Sequence, residues 1–407
     1  MKNKEIIDNI LELLHKENDE FDGNVYSFMK RKNNDEDAYH PVCSLTGYNT
    51  IKKYTDLYRD LYKNVVGKKK MTFKVFKDNT QQLIFDNIFD EKHIKEFVEN
   101  QIEYETTELF KIYGLDMEKD VVKYEKYTFV RKDQIIHYIA SNLSLNFKQN
   151  HLHIFNHLDA ESKTNDYFVY LVVSHRTIDN LYSIEVMDEE LPKIVNLLRF
   201  MAGIKNKDSY IDSKPFKSFF KTNIQFHNNN IRIGNEIFRK FNPIMIDHNW
   251  FSDSESGNDL LWKMLCADEK NNMQCRIFNA INWLGKAYNE EDENLSLVEI
   301  AFAFESLLQG DVKGMITPSI TALLSEMYAF INGNTKEDRI QLEKEFKDFY
   351  GIRSGIAHGG KTKINYNAYQ PFKMLTDTIR QLIINPLFKN CSSLDELNLV
   401  IKGMKYS

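Results

Sequence analysis

TKEDRIQLEKEFKDFYGIRSGIAHGG, residues 335–360, is the stretch whose reading decides the fold. Thr335 offers an N-cap hydroxyl, and KEDRIQLEKEFKDFYGIRSGIA continues as a helix until Gly359-Gly360 ends it. The same punctuation repeats on either side. Upstream, NNMQCRIFNAINWLGKAY (271–288) places Met273, Ile277, Ala280, Ile281, Leu284 and Tyr288 on one helical face. Ser296 followed by Glu299 reads as a capping box opening SLVEIAFAFESLL, which stops at Gly310. Thr317-Pro318 has the N-cap and N1 arrangement for a helix running to about Ile331, before Gly333. Downstream, NAYQPFKMLTDTIRQLII (367–384) forms a fifth helix with Pro371 near its start. Five helices joined by short polar loops predict a bundle over residues 256–407.

Before residue 255 the pattern is mixed. Ile6, Ile7, Ile10, Leu11 and Leu14 have helical spacing. MTFKVF (71–76), VVKYEKYTFV (121–130), YFVYLVV (167–173) and IRIGNEIF (231–238) read as strands, rich in β-branched and aromatic residues. IEVMDEELPKIVNLLRFMAGI (184–204) reads as a strand, an acidic turn and a helix with Pro192 in its first turn. DHNWFSDSESGND (247–259) has the polarity of a linker. The expected architecture is an α+β region over 1–255, with room for two subdomains, followed by an all-α helical-bundle domain over 256–407.

Composition narrows the function classes. The net charge is −6, so a protein that coats nucleic acid over a broad basic surface is excluded and any such contact must be local. Cys43, Cys266, Cys275 and Cys391 form no CxxC pair, which argues against a disulfide framework or a four-thiolate zinc site. MKNKEIIDNILELLHKENDE interleaves acids with apolar positions and reads as an amphipathic helix, not a secretory segment. No run approaches the length of about 18 apolar residues that spans a bilayer. A cytoplasmic location without membrane association is the expectation.

Within the opening stretch, Arg353 is followed by four residues and then His358. This spacing on the penultimate helix of a bundle resembles the HEPN superfamily. The flanking text, FYxxRSxIxHGG after a helix reading AFAFESLL (Ala301 to Leu308), resembles its ApeA-like branch. The resemblance covers residues 258–407. It implies a metal-independent endoribonuclease without a cofactor, whose site is shared by two protomers of a homodimer or higher homo-oligomer. It assigns Arg353 and His358 as the catalytic pair, with no metal ligand. The first variable position in catalytic members is often Asn, Asp or His, whereas this chain has Ser354. Relatives of this layout are linked to antiviral defence by abortive infection, in which host RNA such as tRNA is cut. The 1–255 region would then sense a phage-derived trigger or restrain the nuclease. The alternative is a non-catalytic HEPN dimer serving as a binding scaffold.

The residue types suit that chemistry. Attack by the RNA's own 2′-hydroxyl needs a group that takes a proton and one that returns it, and histidine titrates near neutrality. A planar guanidinium that stays protonated can hold the charge gathering on the phosphate. Five residues at about 100° each set Arg353 and His358 roughly 140° apart on a straight helix. Two crossing copies of the helix would instead offer both residue types to one cleft. Ser354 and Tyr350, four and eight residues before His358, are candidates to orient its ring or contact substrate.

Plainer explanations stand beside each of these. An Arg and a His at a helix end often serve only as a carbonyl cap and a dipole partner. Glu305 interrupts the apolar IAFAFESLL and needs a cation; Arg353 is one candidate, and another Arg or the surface are the others. His151, His153 and His157 could suggest a metal site on a strand, but ordinary structural histidines explain them better. GKKKMT (67–72) lacks the earlier glycine of a P-loop. Lys52, Lys53, Arg59, Lys63 and Lys68 to Lys70 form a basic stretch that fits a solvated helix face better than an RNA contact.

Overall fold

The structure, a computed structural model, describes residues 2–15, 25–31, 39–46, 48–67, 69–86, 88–142, 152–164, 166–203, 209–215, 221–227, 230–236, 242–310, 319–357 and 367–406. Two compact units divide the chain: unit 1 comprises residues 1–107 and 174–188, and unit 2 comprises 108–173 and 189–407. Residue 255, where the sequence changes character, lies inside unit 2.

In unit 1, α1 (Asn3–His15) buries Ile6, Ile7 and Ile10, as their helical spacing requires. β1 (Val25–Arg31) and β2 (Tyr39–Thr46) form an antiparallel hairpin with a register shift between Phe28 and Met29. α2 (Tyr48–Val66) turns Tyr54, Tyr58 and Leu61 into the core and leaves Lys52, Lys53, Arg59 and Lys63 exposed. α3 (Phe73–Phe85) and α4 (Glu91–Glu99) follow.

The α3 helix corrects one expectation. MTFKVF, read as a strand, opens a helix because Thr72 Oγ1 accepts a hydrogen bond from Val75 N at 3.2 Å. Phe73 and Phe76 then meet Tyr62 edge-on, and Phe76 is fully buried. Packing outweighs the strand preference of aromatic and β-branched residues. The buried Asp179 secures the start of α3 by accepting from Thr72 N at 2.8 Å.

Unit 2 is built on strands and a long run of helices. The chain passes through β3 (Tyr104–Tyr113), β4 (Leu115–Asp116), β5 (Val121–Tyr124) and β6 (Tyr127–Arg131), then a 3-10 turn, α5 (Ile135–Asn142) and α6 (Leu152–Ser162). β7 (Phe168–Thr177) and α7 (Asn180–Ala202) follow, and the division between the units falls within β3, β7 and α7. The sheet order is β3-β7-β6-β5. Strands stand at VVKYEKYTFV and YFVYLVV as expected, the first as a hairpin turning at Glu125, whose φ is 51°. α5 and α6 pack Ile135, Ile139 and Leu158 onto Val130, Phe168 and Tyr170.

A second correction concerns residues 184–204. They form no strand: α7 is one helix that carries Pro192 in its interior. Met187, Ile194, Leu197, Leu198 and Met201 are buried at helical spacing, and that packing carries the helix through the acidic run and the proline. The loop-like stretch 247–259 is also folded rather than a linker. After the hairpin β8 (Lys221–His227) and β9 (Asn230–Glu236), and β10 (Ile244–Met245) parallel to β4, come α8 (His248–Ser252) and α9 (Asn258–Cys266). Phe251 is fully buried, stacked on Phe129 with ring centroids 4.9 Å apart and 5.4 Å from Trp262. Polar residues dominate this stretch, but one aromatic anchor outweighs them.

The five expected helices are α10 (Asn272–Asn289), α11 (Glu293–Leu308), α12 (Ile320–Asn332), α13 (Lys336–Ala357) and α14 (Tyr369–Ile384); α9 and α15 (Leu394–Tyr406) add to them. Every described element from residue 248 onward is a helix. Two cap assignments change. α11 starts at Asp292, which accepts from Asn294 N and Leu295 N, so Ser296 lies inside the helix and donates to the Ala287 carbonyl of α10 at 3.1 Å. Ser319 caps α12, while Thr317 and Pro318 lie outside the described residues. Thr335 and Asp338 exchange reciprocal bonds at the start of α13.

A buried polar knot ties α7 to α10. Arg199 donates to the carbonyls of Ile211 (2.8 Å) and Gly285 (3.0 Å), to Asn196 Oδ1 (2.9 Å) and to Asp212 Oδ2 (2.7 Å). Position 285 must be glycine for this approach, since a Cβ there would lie 2.2 Å from Asn196 Oδ1. Among the described residues no helix is long and apolar enough to cross a membrane.

Candidate active site

Tyr350 and Arg353 lie one turn apart on α13, so both side chains leave the same helix face. That face meets α11 at Glu305. Arg353 Nη2 stands 3.0 Å from Glu305 Oε1, and the Tyr350 hydroxyl donates to the same oxygen at 2.5 Å. One carboxylate oxygen thus gathers a guanidinium and a phenol. The pairing of Glu305 with Arg353, one of the options open in the sequence, is the one present.

Aromatic packing fixes this corner. Phe346, fully buried on α13, stacks on Tyr350 and meets Phe304 of α11 edge-on with centroids 4.9 Å apart. Tyr328 of α12 joins the same cluster at 5.4 Å from Phe346. The Arg353 guanidinium carbon lies 5.4 Å from the ring centroids of both Phe302 and Tyr350, within cation–π range. Burial, reinforced by the hydrogen bond to Glu305 and its charge, pushes the Tyr350 phenol well above its ordinary pKa. Tyr350 therefore remains a proton-bearing donor to Glu305 throughout the neutral range.

Arg353 is held but not used up. Its side chain is 20% exposed and that of Glu305 21%. Its Nε is buried and has no hydrogen-bond partner. A guanidinium has five N–H donors in a planar fork, so a further anion can be accepted beside Glu305. Ser354 is half-buried on the next position of α13. Gly355 continues the helix, which runs to Ala357, and His358 lies outside the described residues.

Glu305 and Phe302 also line an open cavity of about 500 Å³ together with Arg276, Trp283, Ser306 and Gln309. Sequence reasoning missed this cavity. Its signal was available in Phe302, three residues before Glu305 on the same face, and in the Trp283 side chain, which is only half-buried on α10.

The other candidate clusters are dispersed. His153 and His157 lie on α6, not on a strand, both exposed; His157 Nε2 sits 3.2 Å from Glu161, and His151 lies outside the described residues. Among the described residues no group of three metal-capable side chains stands together. Of the basic stretch, Lys69 donates to the carbonyls of Val98 and Glu99 at the end of α4, and Lys68 lies outside the described residues.

No family model, curated protein or solved structure matches this chain. Its function is therefore argued from the site itself.

Glu305→Gln tests what holds Arg353. The amide keeps the shape and one acceptor oxygen but removes the charge. The guanidinium then loses its charge-assisted anchor, while Tyr350 retains a partner. Should the chain carry the ribonuclease activity that its sequence resemblance implies, kcat is expected to fall roughly 10- to 100-fold, as displacement of a positioned group by about 1 Å does, with KM little changed. Steady-state kinetics beside a circular-dichroism melt check this. A normally folded Glu305→Gln chain with wild-type kcat removes the orienting role.

Proposed function

We propose that the chain is an endoribonuclease of HEPN type in which Arg353 holds the scissile phosphate and His358 moves the proton. The observation that carries this reading is the Glu305–Tyr350 clamp on Arg353, which in the sequence stands five residues before His358. A guanidinium fixed on two sides is pre-organised for charge that develops during reaction. The Arg353 side chain stays 20% exposed, and a guanidinium with five donors keeps some of them for a phosphate oxygen beside Glu305. The RNA 2′-hydroxyl attacks its own phosphate as histidine accepts the proton, and a second histidine returns a proton to the 5′-oxygen leaving group. A homodimer or higher homo-oligomer supplies the second histidine and a second guanidinium without making the whole surface basic, in keeping with the net charge of −6.

This enzyme is an antiviral, abortive-infection effector acting in the cytoplasm on host RNA such as tRNA. Its first 255 residues respond to a phage-derived trigger. The competing reading, a non-catalytic HEPN dimer, draws on the same geometry: an Arg353 four-fifths covered and already paired resembles a helix anchor.

One assay separates them. Purified protein incubated with total RNA in EDTA is expected to cut it and to leave 2′,3′-cyclic phosphates, because attack by the 2′-hydroxyl needs only proton transfer and charge stabilisation. Sequencing of the new ends reads both the products and the RNA chosen. Activity that vanishes in EDTA and returns with Mg²⁺ overturns this chemistry, and no cleavage under either condition favours the scaffold.

A further inference from the structure

The cavity beside Arg353 has two aromatic walls and a polar floor. The Trp283 and Phe302 rings stand 5.2 Å apart between centroids with their planes inclined at 53°. Glu305, Ser306 and Gln309 supply polar groups. The Gln309 carboxamide carries both a donor and an acceptor. We propose that this cavity seats one nucleobase of a single-stranded RNA next to the phosphate held by Arg353; the proposal rests on the ribonuclease reading and names the substrate feature it selects.

The chemistry favours this ligand over others. A volume of about 500 Å³ is at the small end of ligand cavities and suits a planar heterocycle. A flat ring with polar edges can stack on an aromatic wall and make amide-type hydrogen bonds, as base recognition in single-stranded RNA does. An aliphatic ligand would offer no partner to the Gln309 carboxamide. The cations distinguish a chain from a free nucleotide. Arg276 Nη1 donates to the carbonyls of Ser306, Leu307 and Gln309 and its Nε to Asn272 Oδ1, which holds that guanidinium against the end of α11. Available positive charge stands at the cavity's two aromatic walls instead. Lys286 Nζ is 4.1 Å from the Trp283 ring centroid and Arg353 is 5.4 Å from that of Phe302. That arrangement places phosphates on either side of an inserted base.

Trp283 is the residue to change, because it contacts neither Arg353 nor Glu305 in any bond described above. Binding is read by fluorescence polarisation with a labelled RNA decamer whose 2′-hydroxyls are all 2′-O-methyl, so that no cleavage intervenes. Trp283→Ala is expected to weaken binding roughly 5- to 150-fold, the range for loss of one base–aromatic stack. Trp283→Phe, which keeps a stacking face, is expected to bind close to wild type and guards against a misfolded alanine variant. An abasic position scanned along the decamer is expected to reproduce the loss at one register, with no further loss when combined with Trp283→Ala.

Three results overturn the proposal: wild-type affinity in Trp283→Ala, additive losses for the alanine and abasic changes, or failure of the decamer to bind the wild-type chain. The binding measurement is independent of catalysis. A chain that cuts RNA yet ignores the Trp283 changes loses the base pocket and keeps the nuclease assignment; a chain that binds through Trp283 yet never cuts keeps the pocket and loses the nuclease.

Discussion

His358→Ala is expected to lower RNA cleavage by about 10²- to 10⁴-fold, the usual worth of a positioned general acid or base. Histidine is the side chain of this motif that titrates near neutrality, since arginine stays protonated and the Tyr350 phenol is driven upward by burial and Glu305. Arg353→Ala should fail as severely for a different reason, loss of the group that holds phosphate charge. The two variants together test whether protomers share a site. Each alone should be nearly inactive, and mixing them should restore activity if one cleft draws Arg353 from one chain and His358 from the other. A circular-dichroism melt confirms that both variants fold. A folded His358→Ala chain cutting at the wild-type rate sinks the assignment, and a mixture as inactive as its components limits each site to one chain.

The helical half was legible because its signals are local. Met273, Ile277, Ala280, Ile281, Leu284 and Tyr288 all turn out buried, and Gly333 ends α12 as its position suggested. The strands at 121–130 and 167–173 were legible for the same reason. MTFKVF was misread because strand preference was weighed above the local cap that Thr72 offers, and because the burial of Phe76 against Tyr58 and Tyr62 is a tertiary fact. Residues 184–204 were misread because an acidic run and a proline look like punctuation when the buried face formed by Met187, Ile194 and Leu197 is not yet known. At the site, a lone carboxylate in IAFAFESLL announced that it needed a cation, and the cation is Arg353. Which of the arginines it reached was a question of α11 meeting α13, which no spacing encodes. Tyr350 on the same carboxylate oxygen, and the cavity walled by Trp283 and Phe302, depend on that meeting in the same way.

The same logic applied to IVNLLRFMA would have marked Arg199, a cation in an apolar run, as a residue needing partners. The structure supplies four of them, and Arg199 is only 7% exposed. Burial pushes its guanidinium pKa down from the usual value, opposed by the Asp212 charge, so its partners are what keep the charge tolerable there. Arg199→Met keeps the length and removes every donor. Gly285 O and Asn196 Oδ1 then lose the partner described for them, while Ile211 O and Asp212 Oδ2 keep Asn289 and Asp212 Oδ1 keeps Ser213 and Lys214. Breaking a buried pair in this way costs about 3–5 kcal/mol. At about 2–4 °C per kcal/mol for a unit of this size, the melting midpoint should fall by roughly 6–20 °C. Asp212→Asn should cost less, because an amide oxygen still accepts from Arg199 and Asn289. The consequence reaches the site through α10, which Gly285 and Asn289 tie to Arg199 and which carries Trp283 and Arg276 on the cavity wall. Denaturant titration of the two variants measures the costs. If Arg199→Met unfolds within about 1 kcal/mol of wild type, the knot is a consequence of the helix packing and not a cause of it.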